Sequence, residues 1–313
     1  MPSDNPISRI FACFAGGQIP SRSKAAPTGF ILIALIFIGL PLRADDEPAI
    51  WEKTKTNIVT AKEPAGAVDV LVQGAEQLEV DELVAALHAP QKHTVGPFNF
   101  WVGTIGPHRV AVSLTGESLI NCTAATLAGI ETFAPKLIVN QGTSGAQVRY
   151  LGLHDIIIGQ RALDYGNFVS APRGPGQGSA PLTWTPVVQR LRDPRTDAWV
   201  EYPNGFAGDP IALAVALRTR NPMGRVFGGV IGSAHEVNLE LDRVGWSHRT
   251  FGMDVEEMES GHVAAIAHVF GIRYIAFRVV SDAPYEHVPF FPLAARATGL
   301  FTINFLENLP PLR

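Results

Sequence analysis

The sequence has little cysteine, little net charge and no cofactor signature. Among 313 residues only Cys13 and Cys122 are cysteine, so a disulfide framework cannot be what holds the fold together. Cys122 lies in LINCTAATLAGI and is expected in the core, where a free thiol usually sits. Basic and acidic side chains number 25 and 29, a net charge of −4. No basic footprint marks a nucleic-acid partner. The histidines are scattered, with no HExxH or CxxC spacing, so no metal centre is expected. His262 and His268 flank an apolar stretch and are expected as packed or surface residues. GTSGA is neither a P-loop nor a dinucleotide fingerprint, and no cofactor is implied. No internal repeat is visible.

What is present is apolar material, 46% of the chain. That is enough for one large core. Near the start, the strongly apolar stretch Phe30 to Leu42 (FILIALIFIGLPL) is 13 uncharged residues long. As a helix it would extend about 20 Å, short for a membrane span. It follows Arg9, Arg22 and Lys24 and precedes the small Ala44. This is the layout of a secretory signal, expected over residues 1–44, and it predicts a periplasmic or secreted protein. An uncleaved anchor is the alternative. After cleavage no stable membrane association is expected. The leader takes four of the 25 basic and one of the 29 acidic residues, which leaves a net of −7. Residues 45–66 read as a linker and residues 67–313 as one domain.

Within that domain strands alternate with helices. AVDVLVQG reads as a buried strand and AEQLEVDELVAALH as a helix. FNFWVGTIG and HRVAVSLTG read as a hairpin joined at Gly106 and Pro107. SLINCTAATLAGIETF is helical and stops at Pro135. KLIVNQGTSGA is a strand entering a Gly/Ser/Thr turn, and HDIIIGQRALDYG is another strand. Residues 170–209, rich in Pro and Gly, read as a long surface excursion. PIALAVALRTR is a helix, GRVFGGVIGSA a strand, and HVAAIAHVFGIRYIAFRVVSD a helix and then a strand. PFFPLAARATGLFTINFLENL closes with an amphipathic helix. The alternation predicts an α/β fold with a mainly parallel or mixed sheet covered on both faces.

Such sheets bind ligands at the carboxyl ends of their strands. Four strand ends here carry polar turns: Gly74 to Glu79, Asn140 to Ala146, Gly232 to Glu236, and Ser281-Asp282. Capping is the competing account for each carboxylate taken alone. Their order and spacing resemble the nucleoside phosphorylase and nucleosidase superfamily, and within it the methylthioadenosine/S-adenosylhomocysteine nucleosidases. The resemblance rests on VQGAEQLEV, NQGTSGA, EEMESGHVAAIAHVFGI and FRVVSD and covers roughly residues 67 to 309. It implies a single α/β domain around a twisted, barrel-like mixed sheet, assembled as a homodimer or larger homo-oligomer.

By the same resemblance Glu79 activates water and Asp282, oriented by Ser281, protonates the purine at N7. Glu259 holds the sugar hydroxyls, Met258 packs on the sugar ring, and Arg278 stands on the strand leading to Asp282. Gly142 and Thr143, in the second Gly turn, line the base or sugar site. Glu256 and Glu257 are expected as solvated loop charges. The implied reaction is hydrolysis of the N-ribosidic bond of an adenine nucleoside. One acid serves the leaving base and one carboxylate serves the water, as in inverting glycoside cleavage. A purine nucleoside phosphorylase is the runner-up, with Arg149 and Arg161 as phosphate ligands. A non-catalytic exported binding or storage protein is the third reading. GSAHEVN and LTGESLIN depart from the family pattern, as does the length of the excursion.

Overall fold

The computed structural model describes residues 66–193 and 196–312. The expected leader, and the linker up to residue 65, lie outside the described residues. In chain order the elements are β1 (Val70–Gly74), α1 (Gln77–Ala86), β2 (His88–Val95), β3 (Phe98–Ile105), β4 (His108–Leu114), α2 (Ser118–Phe133), β5 (Leu137–Ala146) and β6 (Ile156–Asp164). β7 (Phe168–Val169) leads into the excursion, which holds the short strands β8 (Thr185–Pro186), β9 (Arg190–Arg192), β10 (Trp199–Glu201) and β11 (Phe206–Ala207). After it come α3 (Pro210–Ala216), β12 (Val226–Ser233), α4 (Leu241–Phe251), β13 (Val255–Glu257), α5 (Ser260–Val269), β14 (Arg273–Asp282) and α6 (Ala295–Asn308).

One mixed sheet runs β11-β6-β12-β13-β5-β1-β4-β3-β2, and β14 pairs with both β5 and β6. The pairs β5–β14, β14–β6, β6–β12, β12–β13 and β13–β5 therefore close a five-stranded barrel. The remaining strands continue from β5 through the parallel pair β5–β1. This is the α/β, barrel-like mixed sheet expected. Its central strands are apolar on both sides because both faces are covered. Val70 and Val72 pack with Val80, Phe277 and Phe301 in one cluster. Leu71, between them, points the other way, into a cluster with Phe100, Phe133 and Ile138. Each such fully buried side chain contributes about 1.5–3 kcal/mol.

Local chemistry sets the element ends. Ala134 takes the left-handed conformation that closes α2, and Pro135 follows. Asp209 caps α3, accepting from Ile211 N and Ala212 N, with Pro210 in the first turn. The excursion is more ordered than its composition predicts. β7 pairs with β8 and β9 with β10. Phe168 packs on Trp184, Trp246 and Phe251, which ties the excursion to α4. The Arg243 guanidinium lies over Trp246 and Phe168, 4.5 and 5.0 Å from the ring centres. Among the described residues no helix is long and apolar enough to cross a membrane.

Candidate active site

β1, β5, β12, β13 and β14 end around one cavity of about 510 Å³. Glu79, Thr143, Met258, Glu259, Arg278, Ser281 and Asp282 all line it. Eight carboxyl side chains face it, with Arg278 the one basic side chain among the described lining residues. Arg149 and Arg161 do not line it. Arg149 stacks on Tyr285, 4.3 Å from the ring centre, and Arg161 Nη1 donates to the Asn204 carbonyl at 3.5 Å.

Glu79 is buried in the first turn of α1. Its Oε2 accepts from the N–H groups of Ala75 and Glu76 at 2.7 and 3.1 Å. That is half of a capping box, satisfying donors the helix leaves free. Its Oε1 accepts from Thr143 N at 2.8 Å and from the Thr143 hydroxyl at 3.2 Å. One carboxylate thus caps its own helix and fastens it to β5. Gly142 does not line the cavity. A Cβ there would lie 2.5 Å from Glu79 Oε1 and 2.6 Å from Arg278 Nη1, so its part is to let the two side chains come close. The expected turn at GTSGA is strand throughout.

Glu256 and Glu257 are buried, contrary to the solvated charges expected. They lie on β13, between β12 and β5. Glu257 caps α5: it accepts from the N–H groups of Glu259 and Ser260 at 3.0 and 2.9 Å and from the Ser233 hydroxyl. Its Oε2 also meets Arg278 Nη2 at 2.5 Å. Glu259 Oε1 accepts from Ser118 N at 2.7 Å, and its Oε2 stands 3.4 Å from Arg278 Nη1. Burial pushes the Glu259 carboxyl up, and the Arg278 charge works against that. Ser118 itself holds φ at +69°, a strained angle for a residue with a side chain. Arg278 is fully buried. Its guanidinium also donates to the Ser260 hydroxyl at 3.0 Å and to Asn140 Oδ1.

Asp282 ends β14. An irregularity between Val280 and Asp282 sets the carboxylate opposite Gly145 of β5. A Cβ on Gly145 would lie 2.8 Å from Asp282 Oδ2. Burial pushes this carboxyl above its ordinary range, opposed by the Ser281 hydroxyl, which donates to Oδ1 at 3.0 Å. Glu256 pairs with the same Gly145 from the other side. Its Oε1 accepts from Asn238 N at 2.7 Å, and its Oε2 from Asn238 Nδ2 at 2.7 Å and the Tyr165 hydroxyl at 2.9 Å. Burial still lifts it to about 7. The Cys122 thiol is buried and pushed up to about 12, mainly by desolvation, which leaves it unreactive. His262 is buried on α5, and His268 Nε2 lies 2.9 Å from the Tyr202 hydroxyl.

Sequence reasoning missed Glu256, Glu257, Asn140, Ser118 and Tyr165. For Glu257 a signal existed: a carboxylate directly before an apolar helix start is a capping pattern. The others depend on contacts between distant segments.

The chain is similar to proteins of known name. It is 24% identical over 248 residues to the 5′-methylthioadenosine/S-adenosylhomocysteine nucleosidase of Listeria monocytogenes, covering 75% of this chain and 97% of that protein. It is 24% identical over 246 residues to the enzyme of the same name from Shewanella oneidensis, covering 76% and 96%. Among solved structures, the Neisseria meningitidis nucleosidase in complex with methylthio-immucillin-A overlays with a TM-score of 0.61 at 22% identity, covering 77% of this chain and 99% of that one. The futalosine hydrolase of Helicobacter pylori gives 0.61 at 18%, covering 77% and 98%. The sequence model of the phosphorylase superfamily matches residues 69–306. A closed β5–β14–β6–β12–β13 barrel with a carboxylate-lined cavity at its strand ends, together with that match over most of the chain, shows that the protein belongs to the phosphorylase superfamily.

Proposed function

We propose that this protein is an N-ribosyl hydrolase that releases the base from an adenine nucleoside of the methylthioadenosine/S-adenosylhomocysteine type. The observation that carries it is one cavity with Glu79 held on Thr143 of β5, Glu259 beside Arg278, and Asp282 opposite Gly145 farther along β5, Arg278 being the one basic side chain among the described lining residues. Cleavage builds positive charge on the sugar and negative charge on the base. Asp282, whose carboxyl burial raises, donates its proton to N7 of the leaving base. Ser281 holds that carboxyl in place. Glu259 accepts the sugar hydroxyls, and Met258 packs on the ring. The longest contact to Glu79 is the Thr143 hydroxyl. A water taking its place would give a proton to Glu79 as it attacks the sugar. The carboxylates also stabilise the cationic sugar.

The same lining disfavours phosphate as the nucleophile, since carboxylates repel it and neither Arg149 nor Arg161 faces the cavity. Purified protein incubated with methylthioadenosine, S-adenosylhomocysteine, adenosine or inosine, with and without phosphate, separates the readings by chromatography of free base. Release of adenine without phosphate is the expected result. Release only with phosphate identifies a phosphorylase, and no release from any nucleoside identifies a binding protein. The basic, apolar and small-residue order of residues 1–44 supports export; N-terminal sequencing of protein from the extracytoplasmic fraction tests it. Leu119, Ile120, Val237, Leu239 and Phe290 are large apolar groups left exposed, and they support a homodimer, testable by light scattering.

A further inference from the structure

The cavity holds a carboxylate that the hydrolytic reading does not use. Strand register places it. β13 runs antiparallel to β5 with Glu256 opposite Gly145, and β14 runs parallel to β5 with Asp282 opposite the same residue. An ideal Cβ on Gly145 would stand 2.8 Å from Asp282 Oδ2 and 3.5 Å from Glu256 Cγ. The two carboxyls therefore flank one backbone position. Glu79 meets β5 at Thr143, farther back along the strand. Sugar chemistry and base chemistry thus occupy different levels of β5, and Glu256 is at the level of the base.

The side chain is suited to accept. Asn238 N, Asn238 Nδ2 and the Tyr165 hydroxyl all donate to it. Oε2 takes two of these donors and Oε1 one. A carboxylate oxygen offers two lone-pair positions, so Oε1 has one left on a residue that lines the cavity. A purine with N7 at Asp282 offers little to accept on the C8 side. On its other side stands position 6, an amine in adenine and absent in purine itself.

Resting on the nucleosidase reading, we propose that Glu256 is a specificity-determining residue that accepts a hydrogen bond from the 6-amino group of the base, beside the acid Asp282. Above pH 7, where Glu256 is ionised, a hydrogen bond to this acceptor discriminates about tenfold or more, and leaving that acceptor unpaired sharpens the rejection of a base that lacks the donor.

Calorimetric titration with adenine and with unsubstituted purine tests this without needing turnover. Wild type is expected to bind adenine at least about tenfold more tightly than purine, and Glu256→Met, which has no oxygen acceptor, to lose most of that gap. Tyr165→Phe and Asn238→Ala remove internal partners of Glu256 and keep its carboxylate, so the gap should persist in both. An unchanged gap in Glu256→Met overturns the proposal. So does a gap lost equally in all three variants, which would make Glu256 only an anchor for residues 234–240. Binding of neither base by wild type overturns the proposal and the nucleosidase reading together. Adenine selectivity with no cleavage of any nucleoside overturns that reading alone.

Discussion

The two ends of the cavity, one proposed for the sugar and one for the base, treat their carboxylates differently. At the sugar end, Glu257 and Glu259 share the buried Arg278, 2.5 and 3.4 Å away. Main-chain N–H groups from Ala75, Glu76, Thr143, Ser118, Glu259 and Ser260 surround Glu79, Glu257 and Glu259. At the base end, Asp282 has the Ser281 hydroxyl, and Glu256 has an amide and a phenol. Desolvation is opposed by a cation at the first end and by neutral groups at the second. A cation-paired carboxylate suits a developing sugar cation. A carboxyl in a dry, neutral setting keeps its proton, which the leaving base requires.

The largest test of this contrast is Asp282→Asn. Loss of the proton donor should lower kcat about 10²- to 10⁴-fold with KM little changed. Turnover near that of wild type would remove Asp282 from the reaction. Next is Arg278→Met. Two buried carboxylates would lose their cation, at a cost of about 3–5 kcal/mol. A urea midpoint equal to that of wild type would mean the sugar end does not depend on the arginine.

Gly142→Ala puts a methyl group between Glu79 and Arg278. It should lower kcat/KM by up to about a hundredfold through misplacement, with the circular dichroism spectrum unchanged. Full activity would show that the close approach is dispensable. The smallest effect concerns proton linkage at Glu256. An unfolded chain releases this proton near 4.5, and the folded one holds it to about 7. The folded state therefore binds more protons across that window, and stability falls as pH rises through it. Glu256→Gln, which stays neutral, should flatten that fall by about 1–3 kcal/mol between pH 4.5 and 7. Parallel stability–pH curves for the two proteins would contradict a raised Glu256.

Much of the fold was legible because hydropathy reports burial on both sheet faces. The strands β1, β5, β12 and β14 read as apolar runs, and Asp282 and Glu79 stood at turns next to them. β2 was not legible, since HAPQKHTV is mostly exposed at an edge of the sheet. Nor was α4, whose LDRVGWSHRTF exposes Asp242 and Arg249 and buries the charged Arg243 with Val244 and Ser247. EEMES misled for a physical reason. Adjacent carboxylates normally imply solvent, and here their compensation comes from Arg278, Asn238 and Tyr165, on other segments of the chain. No local pattern announces a partner that distant.

The excursion has one further consequence. Glu79, Gly142 and Thr143 precede it; Met258, Glu259, Arg278, Ser281 and Asp282 follow it. The Ser281 hydroxyl reaches the Ser144 carbonyl across 137 residues of chain. Proteolytic nicking favours exposed, Pro- and Gly-rich stretches such as residues 170–180. A single cut there would yield two fragments, each holding only part of the proposed site and expected to be inert alone. Mixed together, they should regain turnover only as β14 zips between β5 and β6, so that complementation of the halves would report assembly of the barrel itself.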